Sequence, residues 1–302
     1  MRSLGNLAVL LLLFTVRLLP VRLAGAIGAG LGRLLYHVDR RHREVALRNL
    51  ARIYPERPRR ERVRLARESF AELGRTLLEL PHVFLRSKTF LLSRIEVVGE
   101  EAFRNAMQAG KGVILTACHH SNWELGALSF SMLGYESDII YRPLRQPAFE
   151  RFLKQARERF GAHLQSRHEG LRWLPRAIKN GHSIAVMVDQ HLSVATPVPF
   201  LGHLANTTTL PATFAGKYGT PVFGVALHRL GRGFRFRLEF WPIPLVADSD
   251  DHTPDEAHMM ETICESFAPA IHARPELWLW SHRRWRILDD VPGMAEVVHG
   301  AP

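Results

Sequence analysis

The sequence predicts an α/β fold, a mixed and mainly parallel sheet flanked by helices, preceded by an N-terminal membrane-associated helical segment. Three observations predict it. From about residue 95 short apolar strands alternate with helical stretches. Residues 112–118 (GVILTAC) and 182–190 (HSIAVMVDQ) are apolar almost throughout, as strands covered on both faces are. Residues 3–16 (SLGNLAVLLLLFTV) are uncharged and mostly apolar between Arg2 and Arg17. At 302 residues the chain can bury a substantial core. It divides into a membrane-associated helix (1–38), a pair of basic amphipathic helices (39–90) and a larger α/β domain (91–302) that carries the chemistry.

The apolar run is short for a simple crossing, since a hydrocarbon core takes ~20 apolar residues. Extending it through RLLPVRLAGAIGAGLGRLLY inserts Arg17, Arg22 and Arg33. Arginines that snorkel to the headgroups suit a helix lying in one leaflet or inserted at a tilt. The rival reading is a secretory signal, with Arg2 as its basic region, 7–16 as its apolar core and Ala24 with Ala26 at the cleavage site. Two arginines and Pro20 between core and cleavage site argue against it. Ala24, Gly28 and Gly32 recur every four residues, a face on which a second helix can pack closely. Residues 39–75 are densely basic, broken at Pro55 and Pro58, with Val45, Leu47, Leu50, Ile53 and then Val63, Leu65 and Phe70 at helical spacing. They read either as an ordinary amphipathic surface pair or as a basic face pressed on anionic lipid.

In the larger domain the strand at 112–118 leads into a helix over 121–133. A strand over 137–143 and a helix over 147–161 follow, the helix closed by Gly161. Residues 171–181 are helical in pattern and 182–190 form another buried strand. Residues 198–209 read as a loop running into a helix over 209–219, which Gly219 and Pro221 end. Two more strands cover 220–229 and 234–243. The second alternates strictly, with Phe234, Phe236, Leu238 and Phe240 on one face and arginines and Glu239 on the other. A helix over 254–272 closes the series. In such folds ligands gather at the carboxyl ends of strands.

The formal charge of +11, from 40 Lys and Arg against 29 Asp and Glu, favours anionic partners. Phospholipid headgroups, phosphorylated glycolipids, an acidic carrier protein and nucleic acid all qualify. Nucleic acid ranks last, because the chain shows no helix-turn-helix cue, zinc pattern or aromatic strand motif. Cys118 and Cys264 each sit in an apolar stretch, so neither a disulfide framework nor a cysteine zinc site is indicated, and a reducing compartment is the plainest setting.

The chemistry concentrates in TACHHSNWELGA, at the end of a buried strand and the start of a helix. His119 and Glu124 are five apart, which on a continuous helix separates them by ~140°. They cooperate only if His119 lies in the turn before the helix and Glu124 in its first turn, with Ser121 as N-cap. A neutral imidazole backed by a carboxylate can take a proton from a substrate hydroxyl as it attacks a thioester, which is a serine triad with the acceptor's own hydroxyl in place of serine. The alternative is a capping box, in which Ser121 and Glu124 satisfy backbone donors and do no chemistry. Cys118 as nucleophile is disfavoured, since neighbours on a strand point to opposite faces. A metal site is not indicated, because His119, His120 and Glu124 lack the paired spacing of a helical zinc motif. Arg142 follows a predicted strand end, where a guanidinium can stabilise an oxyanion or bind phosphate, or else it is a surface arginine before a proline turn. Asp189 and Gln190 end a buried strand and either face the site or cap the next loop. Arg283 and Arg284, beside Trp285, hold phosphate or are solvated charges.

The segment HHSNWELGA resembles the signature of the lysophospholipid acyltransferase superfamily, a His, four residues and a Glu. It is closely similar to the form found in the bacterial lipid A biosynthesis acyltransferases, the lauroyl and myristoyl transferases of lipopolysaccharide assembly. The resemblance runs in order along nearly the whole chain, through RNL (48–50), YP (54–55), YRP (141–143), RERFG (157–161), VDQ (188–190), VPFLG (198–202), TTT (207–209) and PELWLWSHRRW (275–285). It implies His119 as catalytic base, Glu124 as its charge partner, Arg142 near a substrate carbonyl or phosphate, and Asp189 lining the site. Asn122 and Gln190 join Arg142 and Asp189 as expected substrate-binding residues. The implied reaction moves a fatty acyl chain from acyl carrier protein or acyl-CoA to a hydroxyl of a lipid A precursor, with no metal or organic cofactor. Its implied place is the cytoplasmic face of the inner membrane, against an anionic lipid surface. His120 and Ser121 stand where many relatives carry an apolar residue and a glycine, and Phe200, Leu201 and Gly202 replace the usual FFG. These departures bear on acyl chain and acceptor. Two other readings are acylation of another glycolipid, such as a phosphatidylinositol mannoside, and a lipid-surface binding protein without catalysis.

Overall fold

The computed structural model describes residues 13–144, 146–193, 195–245 and 255–289. Most of the N-terminal apolar run, residues 3–12, lies outside the described residues, as does residue 254 at the start of the last predicted helix. Residues 13–18 are helical, and after them come α1 (Val21–Val38), α2 (Arg40–Ile53), α3 (Arg59–Leu85) and the short α4 (Lys88–Leu92). The α/β series follows as β1 (Ile95–Val98), α5 (Glu100–Gln108), β2 (Val113–Ala117), α6 (Trp123–Leu133), β3 (Ser137–Tyr141), α7 (Pro147–Glu158), β4 (His163–Ser166), α8 (Leu174–Lys179) and β5 (Ser183–Met187). It ends with β6 (Thr196–Phe200), β7 (His203–Thr207), α9 (Leu210–Tyr218), β8 (Val222–Arg229), β9 (Phe236–Ile243), α10 (Glu256–Glu265), α11 (Ala268–Ala273), a 3-10 turn (Pro275–Leu277) and α12 (Arg286–Asp289).

Seven strands form one sheet in the order β1-β9-β8-β2-β5-β3-β4. Every neighbouring pair is parallel except β8 with β9. The centre of the sheet is β2 and β5, whose first four residues are buried in each case. Both strands are apolar in nearly continuous runs because helices cover both faces, which leaves no solvent side for polar residues. The carboxyl ends of β2, β5, β3 and β4 lie side by side, and the site is built there.

The N-terminal helices are joined to this domain by close packing. Helix α1 buries Ala24, Gly25, Gly28, Ala29 and Gly32. A Cβ added at Gly28 would lie 2.4 Å from the Gly74 carbonyl oxygen, and one at Gly32 only 2.0 Å from that of Phe70. The small-residue face is thus the seam between α1 and α3. Its opposite face carries Leu23, Ile27, Leu31, Leu34 and Val38 outward, with Val38 72% exposed. No helix of the described residues is long and apolar enough to cross a membrane.

Three elements differ from the sequence expectation. Residues 198–209, expected as a loop, hold most of an antiparallel hairpin, β6 with β7, forming a separate two-stranded sheet. Its two-residue turn takes positive φ at Leu201 and Gly202, the backbone a tight hairpin requires. The proline at 199 and the polar residues of the second strand mask its period in the sequence. The segment after α7 supplies β4, a short edge strand. The helix expected over 254–272 is two, because Pro269 lies in the first turn of α11 and its ring cannot continue α10.

Candidate active site

The parallel register places Ala117 of β2 beside Met187 of β5, and the Val188 N–H donates to the Ala117 carbonyl at 3.0 Å. Two residues further along each strand stand His119 and Asp189, so the register itself brings them together. His119 Nδ1 lies 2.7 Å from Asp189 Oδ1, and the His119 backbone N–H donates to Asp189 Oδ2 at 2.6 Å. Trp278 Nε1 donates to the same oxygen at 2.9 Å. An ionised carboxylate only accepts, so the ring proton sits on Nδ1 and the Nε2 lone pair is directed away from Asp189. The side-chain nitrogen of Gln190 approaches Nε2 at 3.2 Å, and Trp123 meets the ring edge to face at 5.2 Å between centroids.

Burial opposes the charged imidazole, yet the Asp189 charge and hydrogen bond, with Glu124 adding to them, raise the His119 pKa above its ordinary value. Burial likewise opposes the Asp189 carboxylate, and the donors from His119 and Trp278 hold its pKa well below the usual range. The pair is therefore an imidazole whose anionic partner is pinned by three hydrogen bonds, an arrangement able to accept a proton at Nε2. The carboxylate expected behind His119 was Glu124, whereas the one hydrogen-bonded to the ring is Asp189. Glu124 is instead gripped bidentately by Arg157, with Nε to Oε2 at 2.9 Å and Nη2 to Oε1 at 2.6 Å. It acts on His119 through its charge alone.

His119, Trp123, Glu124, Arg142, Arg157 and Gln190 line a cavity of about 460 Å³, whose remaining wall includes Ile139, Leu164, Val186, Met187, Leu192 and Leu210. A smaller apolar pocket of about 50 Å³ is lined by Gly126, Phe130, Val225 and Leu238, and it shares Trp123, Ala127, Ile139, Val186 and Met187 with the larger one. Polar groups converge on one part of the larger space and hydrocarbon surrounds the rest. That arrangement suits a molecule with a reactive head and an aliphatic tail.

The turn after β2 is held from behind. Asn122, not Ser121, is the N-cap of α6, its side chain accepting from the Leu125 N–H at 3.2 Å. Its amide donates to Glu79 Oε2 at 3.2 Å, and the residue is fully buried. The expectation that Asn122 binds substrate is corrected, because both ends of its side chain are occupied and it does not reach the cavity. Ser121 takes φ 54°, with its N–H donating to the Leu277 carbonyl at 2.7 Å and its own carbonyl accepting from Thr76 Oγ1 at 3.3 Å. Left-handed backbone is what glycine adopts without penalty, so a serine at this position carries backbone strain. His120 is buried, with Nδ1 against the Leu227 carbonyl at 3.2 Å, and burial depresses its pKa to about 3.

Gln190 and Arg142 are at the cavity wall, whereas Asp189 lies beneath His119. Cys118 is buried, and its thiol pKa is pushed well above the ordinary value by burial and by the Asp189 charge, which leaves it an unreactive neighbour. Arg284 is no phosphate ligand. It is fully buried and donates to the carbonyls of Asn206 at 2.8 Å and Gln190 at 3.2 Å and to Thr207 Oγ1 at 2.5 Å. It ties the hairpin to the loop after β5. The sequence reading missed Arg157 and Trp278 as site residues, although both lie in ordered motifs, RERFG and PELWLWSHRRW. Nothing in either motif says which carboxylate it meets.

The sequence profile of a family described as "Bacterial lipid A biosynthesis acyltransferase" matches residues 1–287. The chain is 26% identical to the lipid A biosynthesis lauroyltransferase of Escherichia coli (strain K12) over 91% of its own length and 89% of that protein's. It is 23% identical to the lipid A biosynthesis myristoyltransferase of the same organism over 88% of its length and 81% of the relative's. A phosphatidylinositol mannoside acyltransferase of Mycolicibacterium smegmatis is 24% identical over 89% and 88% of the two chains.

Proposed function

This chain belongs to the bacterial lipid A biosynthesis acyltransferase family, an enzyme that transfers acyl groups, and from that premise we propose its substrates and mechanism. It moves a fatty acyl chain from acyl carrier protein or acyl-CoA to a hydroxyl of a lipid A precursor. His119 is the general base. The observation that carries this reading is the His119–Asp189 pair, which engages Nδ1 and leaves Nε2 of the neutral ring as the proton acceptor beside a cavity with an apolar extension.

The acceptor hydroxyl gives its proton to Nε2 while its oxygen attacks the thioester carbonyl carbon. Asp189 steadies the imidazolium that forms and fixes the ring's orientation. Arg157, immobilised by Glu124, supplies a fixed cation to the oxyanion of the tetrahedral intermediate, with the Gln190 side chain beside it. The carbon–sulfur bond then breaks, and the proton on Nε2 passes to the departing thiolate. Glu124 takes part in this mechanism by holding Arg157, not as the hydrogen-bonded partner of His119. The acyl tail lies along the apolar wall toward the deeper pocket.

The outward apolar face of α1, rimmed by arginines, supports a place at the inner membrane with the catalytic domain on its cytoplasmic face. The test is transfer of a radiolabelled acyl group from acyl carrier protein, or from coenzyme A, to a lipid A precursor by purified membranes. His119→Ala lowers the rate roughly 10²–10⁴-fold with the fold intact. Full activity in that variant refutes the assigned base. Transfer to a phosphatidylinositol mannoside instead moves the acceptor to the other branch of relatives.

A further inference from the structure

His119 Nε2 already has a partner. The side-chain nitrogen of Gln190 lies 3.2 Å from it. With the ring proton on Nδ1, held by Asp189 at 2.7 Å, Nε2 carries only a lone pair, so the amide N–H donates to it. Gln190 therefore stands where any hydroxyl must stand to lose its proton to this ring. Its main chain and its side chain are held differently. The Gln190 carbonyl accepts from Nη1 of the buried Arg284 at 3.2 Å, and the next N–H, of His191, donates to His282 Nε2 at 2.9 Å. Burial pushes the His282 pKa down to about 4, so its ring stays neutral and keeps that acceptor while His119 titrates. The main chain at 190–191 is thus tied to the C-terminal segment, whereas the amide ends an exposed side chain on the cavity wall. Rotation about side-chain bonds clears Nε2 without moving the main chain, and the amide is neutral, so no charge moves with it.

Displacing the amide costs every incoming hydroxyl the same hydrogen bond, yet hydroxyls differ in what else they bring. A water molecule brings only itself and exchanges one hydrogen bond on Nε2 for another. A lipid acceptor arrives with contacts along its whole length, and binding energy from its remote parts offsets the displacement. We propose that Gln190 is a latch on the base, opened by a bound acceptor and not by water alone, and that it sets the choice between acyl transfer and hydrolysis of the thioester. This inference rests on the acyl-transfer reading and deepens it. In the reaction that the latch suppresses, a water oxygen attacks the thioester carbonyl carbon and its proton goes to Nε2. The carbon–sulfur bond breaks, and that proton passes to the thiolate. The products are a free fatty acid and a thiol.

The first experiment compares the two reactions in the full chain, with dodecanoyl-coenzyme A as donor and free thiol as the readout. Without acceptor the wild type releases thiol slowly. Gln190→Ala releases it about three- to tenfold faster, the effect of removing one hydrogen bond from the resting base. Adding His119→Ala to that variant abolishes the gain, because the water uses the same base. With a lipid A precursor present, the ratio of hydrolysis to transfer rises in Gln190→Ala by a similar factor. An amide that serves only the oxyanion would lower both reactions together. A ratio that is unchanged or falls therefore overturns the latch. Equal unfolding midpoints show that the variants are folded.

The second experiment needs no turnover. A donor on Nε2 favours the neutral ring, so losing it raises the His119 pKa. Asp189, Glu124 and His282, the other titratable groups around the ring, are the same in both proteins. Nitrogen NMR titration of histidine-labelled protein places the His119 midpoint in Gln190→Ala above that of the wild type by roughly half to one pH unit, the same three- to tenfold factor. A midpoint that is unchanged or lower overturns the contact. If the wild type acylates no acceptor, the acyl-transfer reading fails, and the titration still judges whether Gln190 covers the base.

Discussion

In the proposed mechanism His119 is the base because its Nδ1 faces Asp189, and the sign of the resulting pH dependence follows. The carboxylate raises the imidazole pKa, so the neutral, active form is lost on acidification from a point above the ordinary value of about 6.5. kcat/KM should rise with pH through that raised pKa. In Asp189→Asn the depressing effect of burial is left with less opposition, so the acidic limb moves to lower pH while kcat drops more than tenfold, the ring having lost its orienting anion. A pH–rate profile of the two proteins checks this, and a limb that stays in place means Asp189 does not govern the base. Ser121 offers a test of strain at the neighbouring position. Its φ of 54° costs a non-glycine residue ~1–2 kcal/mol, and glycine gives back part of that in unfolded-chain entropy. Ser121→Gly should therefore raise stability by up to ~1 kcal/mol in denaturant unfolding with little change in kcat. A loss of stability would mean that the buried hydroxyl matters more than the backbone.

Helix α3 acts as the strut behind the turn that carries His119. It presents Glu72, Thr76 and Glu79 inward along one face. Arg229, at the end of β8 and almost fully buried, pairs with Glu72 through Nε and with Glu79 at 2.7 Å. Glu79 then reaches Asn122, and Thr76 reaches the Ser121 carbonyl, so a helix distant in sequence sets the turn that carries His119. Burial raises the Glu79 pKa even though Arg229 pulls it back, which marks how much the carboxylate depends on its partner. Arg229→Met removes that partner, leaves Glu79 buried without a cation and leaves Glu72 with Arg75 alone, at a cost of about 3–5 kcal/mol. Denaturant unfolding measures it. A change below 1 kcal/mol would show that water, not Arg229, satisfies the two acids.

Over the molecule as a whole, the proposed function rests on two apolar surfaces, one outside and one inside. The outward face of α1 presents Leu31, 50% exposed, and Leu34, 58% exposed, beside arginines, while the inward face is committed to α3. Replacing both leucines with Gln should weaken binding to anionic vesicles in a flotation assay without shifting the unfolding midpoint, since neither is part of the core. Binding that is unchanged removes α1 from the membrane-facing surface. Inside, Ala127 borders both the main cavity and the deeper apolar pocket. Ala127→Leu should shift donor preference toward shorter acyl chains. Each methylene denied burial forfeits ~0.8 kcal/mol, about fourfold in kcat/KM. Competition between donors of different length reads the shift directly.

By itself the sequence determined whatever depends on neighbours along the chain. Apolar runs at 112–118 and 182–190 mark buried strands, Gly28 and Gly32 mark a close helix seam, and the His119 to Glu124 segment marks a strand-to-helix turn with chemistry in it. Local period and residue size carry that information. The hairpin over 196–207 was hidden because proline and polar residues blur its alternation. Only the tertiary structure decided which carboxylate meets which cation. His119 joins Asp189 because β2 and β5 are parallel neighbours in one particular register, and Glu124 joins Arg157 because α7 returns past α6. Ion pairs and hydrogen bonds act over about 3 Å, whereas the residues they join lie 33 and 70 positions apart in the chain. Such partners are chosen by strand order and register, and no periodicity along a single segment encodes either.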